Sequence, residues 1–463
     1  MSVKDRERIN DELHGVSESR RRANREVEWS EEELALHLNC FQIELDEKVR
    51  PEDKQTYLEA VELDGSYITR LDFRLRFLRA ERFDVEKAVL RYCKCLDFLV
   101  EFFGKEALFR PLLMSDLTKS EMKFLREGYV QVLPSRDRLG RRILAMLGSY
   151  GGTRYSEVEK FRVCTYLCFT VLAEDVTTQR LGVVSLASFT RGVEAFMRKE
   201  AHECTRLIKR FFAAVPLRWS AAHLCIPDDP MFHFVKATLL FILGMNGRRM
   251  LRIHTGTPIE CDYKLRSFGI PTEDIPRTHT HTIKTRNHAR LIKVRKVIDT
   301  LVQKAKSKNY HSDAFYPGIE CPEINCIIFG KHAWDHPGNI EFREILREII
   351  ITQDQDRKKS DNRIPIIKNV IEESQSQKFR FLMYDRETFF YEEITDYNKI
   401  WSLVEQAVRE HRKRSRAKRD IGETKPIIGG YIDENNNAEA EVMCTNNSKF
   451  MKNFDGCRSC VGE

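Results

Sequence analysis

Apolar positions recur along this chain with two different periods, and the places where the period changes mark its organisation. From Trp29 to about Phe103 they repeat, with breaks, at three- and four-residue steps, the spacing of amphipathic helices. The run Trp29-Ser30-Glu31-Glu32-Glu33-Leu34 opens this region with Ser30 as N-cap and Glu33 three residues on, a capping box. After Leu125 short strand-like runs alternate with helical stretches. Strands are expected at Tyr129–Leu133, Arg142–Leu147, Leu181–Leu186, Ala221–Ile226 and Met250–His254, and helices near 157–174, 191–212 and 230–243. Strand–helix alternation of this kind predicts an α/β layer domain.

Leu291, Val294, Ile298, Leu301 and Ala305 place an amphipathic helix over 287–306. A break around Asn309–Pro322 separates it from a smaller unit ordered strand, helix, helix, two strands, helix, which runs to about Arg412. Residues 1–28 and the Asn-rich end are poor in apolar residues and are expected to be disordered. The expected segments are therefore 1–28 disordered, 29–125 helical, 126–282 α/β, 283–319 basic helix and linker, 320–412 small α+β domain, and 413–463 basic then disordered tail.

Composition changes this picture in three ways. Of the 463 residues 42% are hydrophobic and 32% charged, with a mean hydropathy of -0.46, which excludes an integral membrane protein as the class. The longest apolar stretch, Met231–Leu243, is shorter than the roughly 17–25 residues that span a bilayer. The charge of +7 is local: Lys284–Lys308 carries +8 and Arg409–Arg419 carries +6, leaving -7 elsewhere. Local basicity suits an anionic surface. The thirteen cysteines are scattered, and Cys93, Cys164, Cys168 and Cys225 lie in apolar runs as buried thiols, which fits a reducing cytoplasm.

The 230–243 stretch is the most suggestive element. Asp228 and Asp229 can cap it, Pro230 suits its first turn and Gly244 can end it. Phe232, Val235, Leu239 and Ile242 line one face, and most of the rest is apolar too. Periodicity alone leaves two readings, a buried core helix or a lid over an apolar cavity.

Four motifs decide between them. Leu71-Asp72-Phe73-Arg74-Leu75-Arg76-Phe77-Leu78-Arg79-Ala80-Glu81-Arg82-Phe83-Asp84-Val85-Glu86-Lys87-Ala88, with Leu71, Leu75 and Leu78 read as one apolar face, resembles the N-terminal helical segment of the CRAL-TRIO family of lipid-transfer proteins. Asp137-Arg138-Leu139-Gly140-Arg141-Arg142-Ile143 is similar to that family's turn into a central strand, Ala222-His223-Leu224-Cys225-Ile226-Pro227 to the strand before its gate helix, and Arg248-Arg249-Met250-Leu251-Arg252-Ile253-His254 to the strand after it. The resemblance covers about residues 30–280. It implies an α/β fold in which an N-terminal helical segment joins a mixed sheet flanked by helices, a non-enzymatic carrier, no cofactor, and a lipid or other hydrophobe held under a gate of Phe232, Val235, Leu239 and Ile242. Arg248 and Arg249 would then contact a headgroup or membrane. The glutamate that phosphatidylinositol-binding members carry before the gate strand is replaced here by Leu217 or Arg218, and Val184-Ser185-Leu186-Ala187-Ser188 lacks their acidic strand end, so inositol-lipid specificity does not transfer.

In the separate small α+β C-terminal domain, Cys326-Ile327-Ile328-Phe329-Gly330, His336-Pro337-Gly338-Asn339-Ile340-Glu341-Phe342-Arg343 and Phe379-Arg380-Phe381-Leu382 resemble an uncharacterised domain family of microalgal proteins. Asn339 is expected to cap a helix Ile340–Ile351. Cys321, Cys326, His332 and His336 are zinc-ligand types with a middle loop too short for a finger, and no metal is expected. Cys204 and Arg210 have a phosphatase spacing without its glycines, and Cys460 lies fourth from the end without a prenylation context. The expected partners are a lipid ligand, a transient anionic membrane surface with Lys284–Lys308 as a docking candidate, and a protein partner through 320–412. Arg409–Arg419 lacks interleaved aromatics, so nucleic acid is not expected, although the run offers a nuclear-import patch beside a cytoplasmic, membrane-peripheral location. The alternative function is a lipid-sensing adaptor whose C-terminal domain binds a protein or nuclear partner.

Overall fold

The computed structural model describes residues 29–64, 67–147, 154–189, 201–230, 232, 236–237, 248–278, 280, 282–306, 318–330, 333, 336–356 and 364–422. Ser30 caps α1 (Glu31–Ile43) as its sequence predicts: its hydroxyl accepts from Glu33 N–H at 3.2 Å, and the Glu33 carboxylate accepts from Ser30 N–H at 2.8 Å. Next come α2 (Gln55–Asp64), α3 (Leu71–Ala80) and α4 (Val85–Phe103). The buried face of α3 is not the expected Leu71-Leu75-Leu78 line, because Leu71 is 63% exposed. Phe73, Phe77 and Leu78 turn inward instead and join Tyr92, Leu96 and Leu99 of α4, since the larger aromatic surface gains more from burial.

α5 (Lys119–Glu127) leads into a five-stranded sheet in the order β1 (Val130–Val132), β2 (Arg142–Leu147), β3 (Val183–Ser188), β4 (Trp219–Ile226), β5 (Leu251–Thr255). β1 runs antiparallel to β2, and all other pairs are parallel. Crossovers pass through α6 (Glu157–Leu167, continued by a π-helical turn Cys168–Leu172), α7 (Val176–Leu181) and α8 (Ala201–Ala214). Parallel strands need such helices, and β2 and β3 are buried on both faces except at Met146 and Ala187, which explains their largely apolar runs. Gly140, at φ +83, makes the tight turn into β2, and buried Arg141 pairs with Asp137 at 2.6 Å within that turn. After β5, α9 (Pro258–Ser267) covers one face of the sheet and α10 (Arg286–Lys306) follows.

The C-terminal elements occur in the expected order: β6 (Cys326–Phe329), α11 (Pro337–Asp356), α12 (Ile364–Ser376), β7 (Arg380–Tyr384), β8 (Tyr391–Glu393) and α13 (Tyr397–Gly422). β6 is parallel to β7, and β7 antiparallel to β8. Asn339 is not an N-cap. The helix starts two residues earlier, at Pro337, with the His336 carbonyl accepting from Ile340 N–H at 3.0 Å. Asn339 instead faces β6, where its amide oxygen accepts from Ile328 N–H at 2.8 Å and its amide nitrogen donates to Ile328 carbonyl at 3.0 Å. Gly338 allows this approach, because a Cβ there would lie 2.1 Å from the Cys326 carbonyl oxygen. Pro337, Gly338 and Asn339 together fasten the helix start to the strand. α13 runs ten residues beyond the boundary expected at Arg412. Met1–Glu405 form one compact unit and Gln406–Glu463 a second.

Candidate ligand-binding site

The five-stranded sheet has two unlike faces. On one, Ile143, Ala145, Leu147, Val184, Leu186, Ala221 and Cys225 close against Cys261 and Leu265 of α9. The other is a grid set by strand register: Leu144, Ser185, Ala222 and Leu251 form one row, and Met146, Ala187, Leu224 and Ile253 the next. Interior strands normally bury both faces, yet Met146, Ala187 and Ala222 are only half-buried while their neighbours Ala145, Leu186 and Ala221 are fully buried. Small side chains at 185, 187 and 222 leave a shallow, neutral floor. At one end of it Leu144 and Val183 belong to the same apolar cluster as Phe161, Cys164 and Leu167 of α6 and Leu207 and Phe211 of α8.

Phe232 lies at the opposite end. The helical turn opens at Pro230, as expected, with Phe232 N–H donating to Asp229 carbonyl at 2.9 Å. The Phe232 ring is buried with Leu224 and Ile226, against Ala187, Phe189, Leu251 and Ile253. Val235, Leu239, Ile242 and the expected stop at Gly244 lie outside the described residues. Arg248 and Arg249 are exposed on the short helical segment 248–250 that leads into β5. The floor residues Ser185, Ala187 and Ala222 were not singled out by sequence reasoning. Small residues in strand runs carry no periodic signal, and only register brings them together.

Beneath the floor lies a polar layer. His223 and His254 stack at 7° with their rings in contact with Phe268, and His223 Nδ1 sits 3.0 Å from His254 Nε2. Burial, with Lys264 and Arg252 nearby, lowers the His254 pKa to about 4, so the ring is neutral at neutral pH. Cys225 and Cys261 are buried here as thiols.

A second, polar cavity of about 570 Å³ lies where the strands begin. Its walls carry Arg136, Arg142, Arg295 and Arg380 among carboxylates such as Asp175 and Glu320. Arg136 pairs with Asp175 at 2.7 Å and donates to the carbonyls of Cys321 at 3.0 Å and Pro322 at 3.1 Å. Arg295 pairs with Glu174 at 2.8 Å and with Glu320. A charged lining of this kind suits no lipid tail; its cations and carboxylates fasten residues 318–323 to the sheet.

The remaining candidates find ordinary places. α10 buries Leu291, Val294 and Ile298. Val294 and Ile298 share a cluster with Phe390, and the Arg290 guanidinium lies 4.6 Å over the Tyr384 ring. Arg286, Lys293 and Lys296 keep exposed positions on α10. Cys326 is a buried β6 residue whose thiol burial pushes up to about 12, and Cys321 Sγ donates to Pro134 carbonyl at 3.3 Å. His332 and Cys460 lie outside the described residues. Cys204 and Arg210 sit within α8, and Arg210 pairs with Glu101. Among the described residues no helix is long and apolar enough to cross a membrane.

Comparison with known proteins adds three findings. A domain of unknown function, DUF6824, matches residues 327–410, inside the C-terminal segment delimited by sequence. An "Alpha-tocopherol transfer protein-like" protein of Mus musculus is 29% identical over 234 residues, which is 46% of this chain; the chain spans 64% of that protein's length. A crystal structure of Sfh5 aligns with 59% of this chain and 100% of its own at 11% identity and a TM-score of 0.37. The chain is thus an α/β protein similar in part to an alpha-tocopherol transfer protein-like protein, with a domain of unknown function in its C-terminal part.

Proposed function

We infer that residues 29–282 bind one lipid or comparable hydrophobe on the neutral sheet floor, beneath a gate that includes Phe232, Val235, Leu239 and Ile242, and transfer or present it at membranes. The observation that carries this reading is the half-open floor of Met146, Ala187 and Ala222 on interior strands, with Phe232 packed at its edge. An apolar ligand gains about 0.8 kcal/mol for each methylene it buries, and a floor without charge imposes no desolvation cost. The CRAL-TRIO resemblance and the relative that is itself named a transfer protein support the same reading. Arg248 and Arg249 serve as headgroup or membrane contacts in this scheme.

Mass spectrometry of an organic extract of the purified protein tests it, with Phe232→Asp as the comparison. The expected result is a stoichiometric hydrophobe that Phe232→Asp loses while its far-UV circular dichroism is unchanged. A wild-type protein that carries no hydrophobe and takes none up from mixed-lipid vesicles sinks the proposal.

A further inference from the structure

The polar cavity at the strand starts, at about 570 Å³, falls within the roughly 300–1,000 Å³ of small-molecule sites, and its charges are unevenly matched. In its deeper part Arg136 is taken by Asp175, and Arg295 by Glu174 and Glu320. Arg142, the first residue of β2, is left with Glu320 at 3.4 Å, a carboxylate it shares with Arg295. That separation exceeds the roughly 2.7–2.9 Å of a charge-assisted hydrogen bond. The Arg142 side chain is 4% exposed, and its Nε hydrogen meets no acceptor among the described residues. Buried polar groups are nearly always paired, and a buried donor without an acceptor carries its full desolvation cost.

The outer part of the cavity shows the opposite imbalance. Among the described residues Arg380 is the one cation there, 2.7 Å from Glu393 and 3.9 Å from Glu323. Glu392 is exposed beside them. Three carboxylates therefore face one guanidinium, a surplus of two negative charges. We propose that this cavity binds a small, water-soluble zwitterion, with its carboxylate or phosphate on Arg142 and its ammonium group among Glu323, Glu392 and Glu393. A guanidinium presents its Nε and Nη hydrogens as a planar fork that one oxyanion fills. A simple anion is repelled by the outer carboxylates, and a simple cation leaves Arg142 unanswered. A molecule with both ends satisfies both regions, whereas an acyl chain finds no place among these charges. The site shares no residue with the sheet floor or with Phe232, and it requires no bound hydrophobe. Its walls come from β2 and α7 on one side and from residues 318–323, β7 and β8 on the other, so its ligand ties the C-terminal strands to the larger sheet.

Isothermal titration calorimetry on the full chain tests the site. The probes are two zwitterions, O-phosphoethanolamine and γ-aminobutyrate, and two singly functional controls, inorganic phosphate and ethanolamine. At least one zwitterion is expected to bind one-to-one, and each control at least about tenfold more weakly. Arg142→Gln is expected to weaken zwitterion binding by at least about tenfold. Val176→Trp fills the cavity from an exposed position on its wall without removing a charge; it is expected to block binding, and it keeps the test open if Arg142→Gln does not fold. The organic extract of either variant still contains whatever hydrophobe the wild type holds, so failure of this site and failure of the lipid site are read separately. Phosphatidylethanolamine vesicles, which carry the same two charges on a bilayer, are expected not to compete. The proposal is overturned if neither zwitterion binds, if the controls bind as tightly, or if a folded Arg142→Gln or Val176→Trp binds unchanged. Competition by the vesicles overturns the soluble ligand in favour of a lipid headgroup.

Discussion

Asn339 shows how one residue type can fit two local roles. As a sequence letter before an apolar run it reads as an N-cap, since a short side chain with an oxygen acceptor is what an N-cap requires. The fold uses both ends of its amide on a single β6 residue, Ile328. An Asn339→Leu variant keeps the approximate volume but strands both backbone groups of Ile328. It is expected to lose about 2–3 kcal/mol, read as a lower urea midpoint at unchanged slope. A cap alone predicts less, about 1 kcal/mol. Ser30 was legible for the opposite reason: the reciprocal bonds of a capping box involve only residues three apart, so the sequence contains the whole interaction.

At the scale of elements, periodicity located the sheet strands to within about two residues, together with α6 and α10, but missed the short helices α5, α7 and α9 and did not show the use made of their faces. β2 occupies its predicted span, Arg142–Leu147, and α10 begins within one residue of its expected start. Charge counting gave α10 a basic surplus for docking without revealing that Arg295 is spent internally. Arg295 is 3% exposed and serves Glu174 and Glu320 together. Arg295→Met leaves those two carboxylates facing each other without their shared cation. The expected cost is about 3–5 kcal/mol, the range for breaking a buried ion pair from one side, measured by chemical denaturation. Asp299, on the same helix, accepts from Met114 N–H at 2.7 Å, a contact between residues so distant in sequence that no local pattern announces it.

For the whole molecule, buried His254 and partly buried Asp299 tilt the acid limb of the stability curve in opposite directions. His254 titrates at about 4 when folded against an ordinary 6.5, so the unfolded chain binds the extra proton and stability falls as pH drops between those values. Burial of Asp299 raises its pKa from 3.8 to about 6, so the folded chain binds the extra proton and stability rises over much of the same interval. Urea midpoints between pH 6.5 and 4 are expected to fall more steeply in Asp299→Asn and less steeply in His254→Asn than in wild type. The Arg136 anchorage has a further consequence, one of timing. During synthesis the carbonyls of Cys321 and Pro322 emerge 185 and 186 residues after the guanidinium they receive. Until then the turn entering β2 holds a cation whose final partners are still unmade, and closing so distant a contact is slow. The strand-start end of the sheet is therefore completed only after residues 321 and 322 have been synthesised.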